Sequence, residues 1–473
     1  MKANQFNDHW QVKYLGERAP GVPISLPHDA MLSEPRTELS AGGINTGWYE
    51  GRDYLYTKVF TPDRALTDQC AVLEFEGVYH NAEVWLNGEK LAFRPYGYTN
   101  FYVELTGKLR AGEENTLEVI ARNADQPNSR WYSGAGIYRP VVLWTADREH
   151  IKLNGVKIRT LSLDPAQIEV RVETEGAGPV SVAVLDDGRE LAAASGETKG
   201  QFTFTMILEG AKPWSLDDPQ LYACRIRFGT DEVVETFGLR TLEWGRRGLL
   251  LNGERVIVQG ACIHHDNGIL GACSFEAAEL RRVRLLKEAG FNAVRSAHNP
   301  ASQALLRACD QLGVYVMDEL VDVWNKSKVS YDYAIDFTRS WESDIEHMVA
   351  ADYNHPSVIL YSTGNEIFEI CTEKGFETSR MLGDKFHALD PTRFTTNGIN
   401  GAFAAGDGLA KIVDDITEGK ADTGKGDVNV FMMAMETNMP GIVSHPIIGG
   451  ILEKLETTMD IIGYNYMTSR YLM

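Results

Sequence analysis

At 473 residues, with 44% hydrophobic and 10% aromatic side chains, the chain exceeds one ordinary core and has the apolar content for about two to four. A formal net charge of −20 argues against nucleic acid and against an acidic membrane surface as partners. A neutral substrate fits best, or an acidic sugar held in a locally basic pocket.

The opening residues, Met1 to Asp8, contain no apolar targeting segment, and no later run is long enough to cross a bilayer. A cytoplasmic protein is expected. To about residue 148 the pattern is all-β. Val72, Phe75 and Val78 sit in an apolar run. The stretch from Val84 to Leu91 predicts a hairpin, because Asn87-Gly88 accepts the positive φ angles of a type I′ turn. Residues 149–242 repeat that grammar in smaller form. Alternating runs (Ile168, Val170, Val172; Val180, Val182, Val184) are broken by Gly, Asp and Pro at the spacing of an immunoglobulin-like sandwich.

Near residue 243 strands begin to alternate with helices. Strands are predicted at 256–263, 291–296, 314–318, 357–363, near 393–397 and at 460–464. One helix should start with Ser274 as N-cap and stop at Gly290, burying Leu280, Val283 and Leu286. Others are expected through Leu305 and from about Ser340 to Ala351. Apolar strands in βα repeats mean a parallel sheet, and its commonest closed form is the (β/α)8 TIM barrel. Residues 243–473 would supply about six of its eight strands. The Gly- and Asp-rich stretch 401–445 reads as a loop flanking the barrel mouth. Six cysteines (Cys70, Cys224, Cys262, Cys273, Cys309, Cys371) lack paired spacing, so buried reduced thiols are expected, with neither disulfides nor a zinc site.

In such barrels the reacting groups cluster where strands end. Here those ends carry His264, His265 and Asp266, then Arg295, His298 and Asn299, then Asp318 and Glu319, then Asn365 and Glu366, then Tyr464 and Tyr466. Each has an ordinary structural reading as well. Asn365-Glu366 could cap a helix, the histidines could be buried and hydrogen-bonded, and Asp318-Glu319 could pair with Arg295. Five strand ends converging on one rim favour a site.

Several motifs resemble those of glycoside hydrolase family 2. Arg130-Trp131-Tyr132-Ser133-Gly134-Ala135-Gly136-Ile137-Tyr138-Arg139-Pro140 is similar to the family signature closing its first sandwich. Leu251-Asn252-Gly253 with His264-His265-Asp266 resembles the barrel entry, and Phe291 to Pro300 the second strand. His355-Pro356-Ser357 through Gly364-Asn365-Glu366 resembles the acid/base strand. The resemblance covers the whole chain. It implies a jelly-roll, sugar-binding-like sandwich (1–148), an immunoglobulin-like sandwich (149–242) and an incomplete TIM barrel (243–473).

It also implies hydrolysis with retention of configuration by two carboxyl groups about 5 Å apart. By motif, Glu366 is the acid/base and Asn365 binds the sugar 2-hydroxyl. His298, His265 and Asp266 would hold other hydroxyls, and Trp324 would stack on the ring. Arg295, Asn299, Tyr464 and Tyr466 complete the candidate substrate-binding set. No cofactor is implied. Asp318 or Glu319 could be metal ligands, but both read rather as supporting carboxylates, and no metal site is assigned. The partner is a β-glycoside, and homo-oligomerisation stays open.

The family's nucleophile is a glutamate ending the seventh strand, after a segment resembling Ile462-Gly463-Tyr464-Asn465-Tyr466. It is therefore expected beyond Met473, and the chain alone should be inactive. Glu436, within Met435-Glu436-Thr437, has a similar setting but precedes the sixth strand. β-Galactosidase leads as the specificity, with β-glucuronidase second and β-mannosidase third. From another class, a non-catalytic carbohydrate-binding protein is the rival.

Overall fold

Alternation decides the N-terminal architecture. Along Tyr54–Phe60 and Asn115–Ala121 nearly every second side chain is buried, the mark of strands with one face on a core. They belong to a six-stranded antiparallel sheet that faces a four-stranded one over Trp10, Tyr56, Leu73, Phe75 and Leu117. The predicted hairpin forms between Ala82–Leu86 and Glu89–Arg94, with φ +52° at Asn87 and +83° at Gly88. This computed structural model describes residues 1–417 and 439–472.

Five antiparallel strands between His150 and Phe237 enclose a second core of Ile168, Val182, Phe204 and Ile226. A three-stranded ribbon, Leu242–Gly245, Gly248–Leu251 and Glu254–Arg255, leads onward.

Six parallel strands follow in chain order: β1 (Gly260–Ile263), β2 (Ala293–Ser296), β3 (Tyr315–Glu319), β4 (Val358–Asn365), β5 (Phe394–Asn400) and β6 (Ile461–Asn465). The longer helices among the described residues are α1 (Glu276–Glu288), α2 (Gln303–Leu312), α3 (Ala334–Asp352), α4 (Glu373–Leu389), α5 (Leu409–Thr417) and α6 (Pro446–Leu455). The sheet curls into a half-barrel. Every residue of β4 is buried, since helices cover one face and the barrel interior lies on the other. β1 is the exposed margin, with Ile257 and Val258 just before it open to solvent.

Local chemistry explains most helix ends. Ser302 Oγ accepts from Leu305 N to cap α2, which stops at Gly313 with φ +66°. Two expectations fail. Ser274 does not cap α1. Phe275 does, because the Ser274 hydroxyl is drawn instead to Glu279 Oε1 (3.3 Å) and Ser302 Oγ (2.8 Å). The stretch 401–445 is not simply a loop either. Residues 439–444 are helical, and in α5 Ile412, Val413 and Ile416 recur at helical spacing and pack on the barrel core. Glu436 lies outside the described residues. None of the six cysteines forms a disulfide, but only Cys224, Cys273 and Cys309 are buried.

The first sandwich docks on the barrel through polar anchors. Tyr96 Oη donates to Leu320 O at 2.6 Å, and Arg139 Nη2 to Pro300 O at 2.9 Å. Arg94 pairs with Asp344 of α3. Tyr79, Tyr96, Tyr98 and Tyr138 thereby join the barrel's own apolar core.

Candidate active site

Glu366 leaves β4 with φ +49°, a left-handed backbone uncommon outside glycine. Its N–H fixes that turn by donating to Gly398 O at 2.7 Å. The side chain is nearly enclosed, the residue being 7% exposed. Its Oε1 accepts from Asn465 Nδ2 (3.2 Å), ending β6, and from Asn400 Nδ2 (3.4 Å), ending β5. Arg130 and Lys328 lie near enough for their charges to interact with it.

Asn365 is buried beside it with its amide fully oriented. Nδ2 donates to Asp322 Oδ1 (3.0 Å), while Oδ1 accepts from Arg295 Nη2 and from Asn465 Nδ2, each at 3.1 Å. Asp322 in turn receives both arms of Arg130, Nε at 2.7 Å and Nη2 at 2.6 Å, and Lys328 Nζ at 3.0 Å. Burial opposes ionisation of Asp322. Hydrogen bonds from Arg130 and the charges of Lys328 and Arg130 outweigh it and hold the carboxyl well below the usual range. Glu319 behaves similarly. Burial raises its pKa, but the Arg295 and His298 charges, with bonds from His298 and Ser362, bring it below the ordinary value. Arg295 Nε donates to it at 3.0 Å and Ser362 Oγ at 2.6 Å.

Aromatic rings close one side. His298 sits edge-on to Trp131 (5.5 Å) and to His264 (5.6 Å), and Trp131 lies 5.2 Å from His264. Burial, and next the His298 charge, lower the His264 pKa, so that ring is neutral near pH 7. Together these groups offer an enclosed carboxyl, fixed amides and the neutral imidazole of His264. That set can exchange a proton and anchor hydroxyl groups. Among the described residues no group of three His, Cys, Asp or Glu side chains could hold a metal ion.

Residues 22–153 match the galactose-binding domain-like region of glycosyl hydrolase 2, and residues 145–240 match glycosyl hydrolases family 2. Residues 245–448 match the TIM barrel domain of glycosyl hydrolases family 2. The chain belongs to glycoside hydrolase family 2.

Similar members of the family include a β-galactosidase of Bacteroides ovatus, 34% identical over 98% of this chain and 56% of its own length. A β-glucuronidase of Streptococcus agalactiae is 28% identical over 76% of this chain and 65% of its own. Among solved structures, a family 2 member from Bacteroides cellulosilyticus superposes with a TM-score of 0.84 at 30% identity, covering 100% of this chain and 59% of that one. The chain thus spans a little over half the length of the first relatives it matches.

Of the residues singled out in the family 2 motifs, Glu366, Asn365, Arg295 and His298 come together. Tyr464 is half-buried against the barrel core, and Tyr466, with φ +59°, is 71% exposed. The others sit apart. His265 turns toward the first sandwich, where Nε2 meets Ser133 O at 2.9 Å between Tyr98 and Tyr138, and burial pushes its pKa down to about 3. Asn299 is buried with Nδ2 on Pro300 O, and Asp266 is exposed, its carbonyl accepting from Arg282.

Trp324 is a correction. It is wholly buried, with Nε1 donating to Thr363 O at 2.9 Å, and has no face to offer a sugar. A Cβ on Gly364 would come within 2.9 Å of that indole nitrogen, so the ring fills the space the glycine leaves. Trp131 is the aromatic ring beside the histidines instead. Sequence reasoning also missed Asp322, Lys328, Asn400 and Asn465, and gave Arg130 no role. Asp322 stands four residues past Asp318 in the same strand-end segment, which was a usable signal.

Proposed function

We propose that the protein is a retaining hydrolase of terminal β-linked sugars in which Glu366 is the acid/base. The observation supporting this is the enclosed Glu366 carboxyl, bonded by Asn465 and Asn400 and adjoining an Asn365 amide that other side chains lock in place. In that scheme Glu366 protonates the glycosidic oxygen and then takes a proton from the attacking water. Asn365 grips the 2-hydroxyl, and His298 holds a neighbouring hydroxyl. Retention needs a second carboxylate about 5 Å away. Glu319 and Asp322 are too fully bonded to serve as nucleophile. We assign that role to a glutamate outside these 473 residues. β-Galactosidase is the specificity we favour, supported by the Bacteroides ovatus relative, with β-glucuronidase second and β-mannosidase third.

The test is Glu366→Gln in the full-length protein, assayed on alkyl and nitrophenyl glycosides of galactose and glucuronate. An activated phenolate departs without protonation, so nitrophenyl substrates should keep far more of their first-step rate than alkyl ones. Equal losses on both would remove Glu366 from the acid role. Residues 1–473 expressed alone should show no turnover. Rates within tenfold of the full-length protein would place a nucleophile inside this sequence, with Glu436 the first residue to mutate.

A further inference from the structure

At the end of the barrel where β4 and β5 begin, a cavity of about 290 Å³ lies between the second sandwich and the barrel. Glu366 lies past the other end of β4. The eight residues of that strand, roughly 25 Å at about 3.3 Å each, therefore separate the cavity from the acid/base. The second sandwich supplies Arg159 and Thr160, the segment joining it to the barrel supplies Arg240 and Thr241, and the barrel supplies Thr392 and Arg393. In a chain of net charge −20, three arginines line this space and, among the described residues, no Asp or Glu does.

Arg240 is the unusual group. It is 9% exposed, yet no carboxylate receives its guanidinium. Nε donates to Pro356 O at 2.8 Å and Nη2 to Val358 O at 2.9 Å, while Nη1 has no hydrogen-bond partner among the described residues. Burial, and next the charge of Arg393, push its pKa down to about 9, as expected of a cation short of negative charge. Arg159 is also incompletely bonded. Its Nη2 reaches Glu169 Oε1 at 3.1 Å, but its buried Nε has no partner. A buried donor left unmet is costly.

The carboxylates behind the cavity wall are already committed. Asp390 accepts from Arg393 Nη1 and from both the N–H and the hydroxyl of Thr392. Asp310 takes His355 Nδ1 and the Ser357 N–H. Arg393 gives its other N–H groups to carbonyls, among them Val358 O and His355 O, so it adds charge to the cavity without an open donor. Two incompletely bonded guanidinium groups beside a third positive charge suit an oxyanion, whose paired oxygens match the planar donor fork of arginine. A space just under the roughly 300–1,000 Å³ of drug-sized sites admits such an ion or a short ester of it, and not an oligosaccharide.

We propose that this cavity binds a dianionic oxyanion, phosphate or sulfate, free or as the end group of a small ester, held by Arg240 and Arg159. The bound anion ties the second sandwich to the barrel, because it offsets positive charge contributed by both. The site is independent of the glycosidase reading.

The experiment is calorimetric titration of the full-length protein at fixed ionic strength with inorganic phosphate, sulfate and glycerol 3-phosphate. One or more of these should bind saturably, and Arg159→Gln should weaken that binding about tenfold or more, the worth of a charge-assisted hydrogen bond. Arg159→Lys should lose less. Arg240→Gln should abolish binding. Since Arg240 also holds two barrel carbonyls, its variant is first checked by thermal melting, and Arg159, whose side chain is 36% exposed, decides the matter should Arg240→Gln not fold. Tighter binding of inorganic phosphate or sulfate identifies a free anion, and tighter binding of glycerol 3-phosphate identifies an ester; either supports the site. The ligand that binds should also raise the melting temperature above that in chloride of equal ionic strength, and Arg159→Gln should erase the rise. No saturable binding of any probe, or binding that Arg159→Gln leaves intact, would overturn the proposal.

Discussion

Asp322 is where the first sandwich, the barrel and the proposed 2-hydroxyl grip meet, and Asp322→Ala should fail in two measurable ways. The carboxylate accepts four hydrogen bonds, two from Arg130 and one each from Lys328 and Asn365. Truncation leaves the Lys328 side chain, only 3% exposed, as a buried cation without its counter-ion. Removing one partner of a buried ion pair typically costs about 3–5 kcal/mol. The Arg130 side chain is 34% exposed and can recover some hydration, so the lower end, about 3 kcal/mol, is expected. The second loss is kinetic. Asn365 Nδ2 is set by Asp322, and a misplacement of about 1 Å in a positioning group can cost about 100-fold in rate. That loss should fall on substrates with a 2-hydroxyl and largely spare 2-deoxy glycosides. Urea unfolding followed by tryptophan fluorescence, with kcat/KM on 2-hydroxy and 2-deoxy nitrophenyl glycosides, reads both. Pairing Asp322→Ala with Lys328→Met should recover part of the stability, since the stranded charge is gone. A destabilisation below about 1 kcal/mol, or equal kinetic losses on both substrates, would refute this account.

Two further outcomes follow from buried groups. Asp318 of β3 and Asp352 of α3 form a carboxyl pair in which burial raises both pKa values, and the charge of Asp318 pushes Asp352 higher still. An acid raised in the folded state gives stability that is complete below its ordinary pKa, near 3.8, and is lost as pH rises through the folded value. Asp352→Asn should therefore gain on the parent protein as pH rises above about 4, and a pH-independent offset in urea midpoints would contradict this. Trp324→Ala should cost about 3–5 kcal/mol as a core truncation, whereas Trp131→Ala should cost less stability and more sugar affinity. Thermal melts beside titration calorimetry would expose the reverse order.

The sequence by itself determined the architecture and the strand-end residues. Period-2 alternation at Ile168, Val170 and Val172, the Asn87-Gly88 turn and the βα rhythm after residue 243 are local signals, because burial of one face repeats along the chain that makes it. Arg295, His298, Asn365 and Glu366 were legible for the same reason: parallel strands bring their C-terminal ends to one rim whatever lies between. What only the tertiary structure decided is which side chains face that rim. Arg130 reaches Asp322 across 192 residues, and Trp131 meets His264 and His298, only because the first sandwich docks on the barrel. Trp324 and His265 were misplaced because a motif gives a residue's position on a strand end and not its rotation. Trp324 turns into the core beneath Gly364, and His265 turns toward Tyr98 and Tyr138. Packing between domains sets those rotations, and no spacing along the chain encodes it.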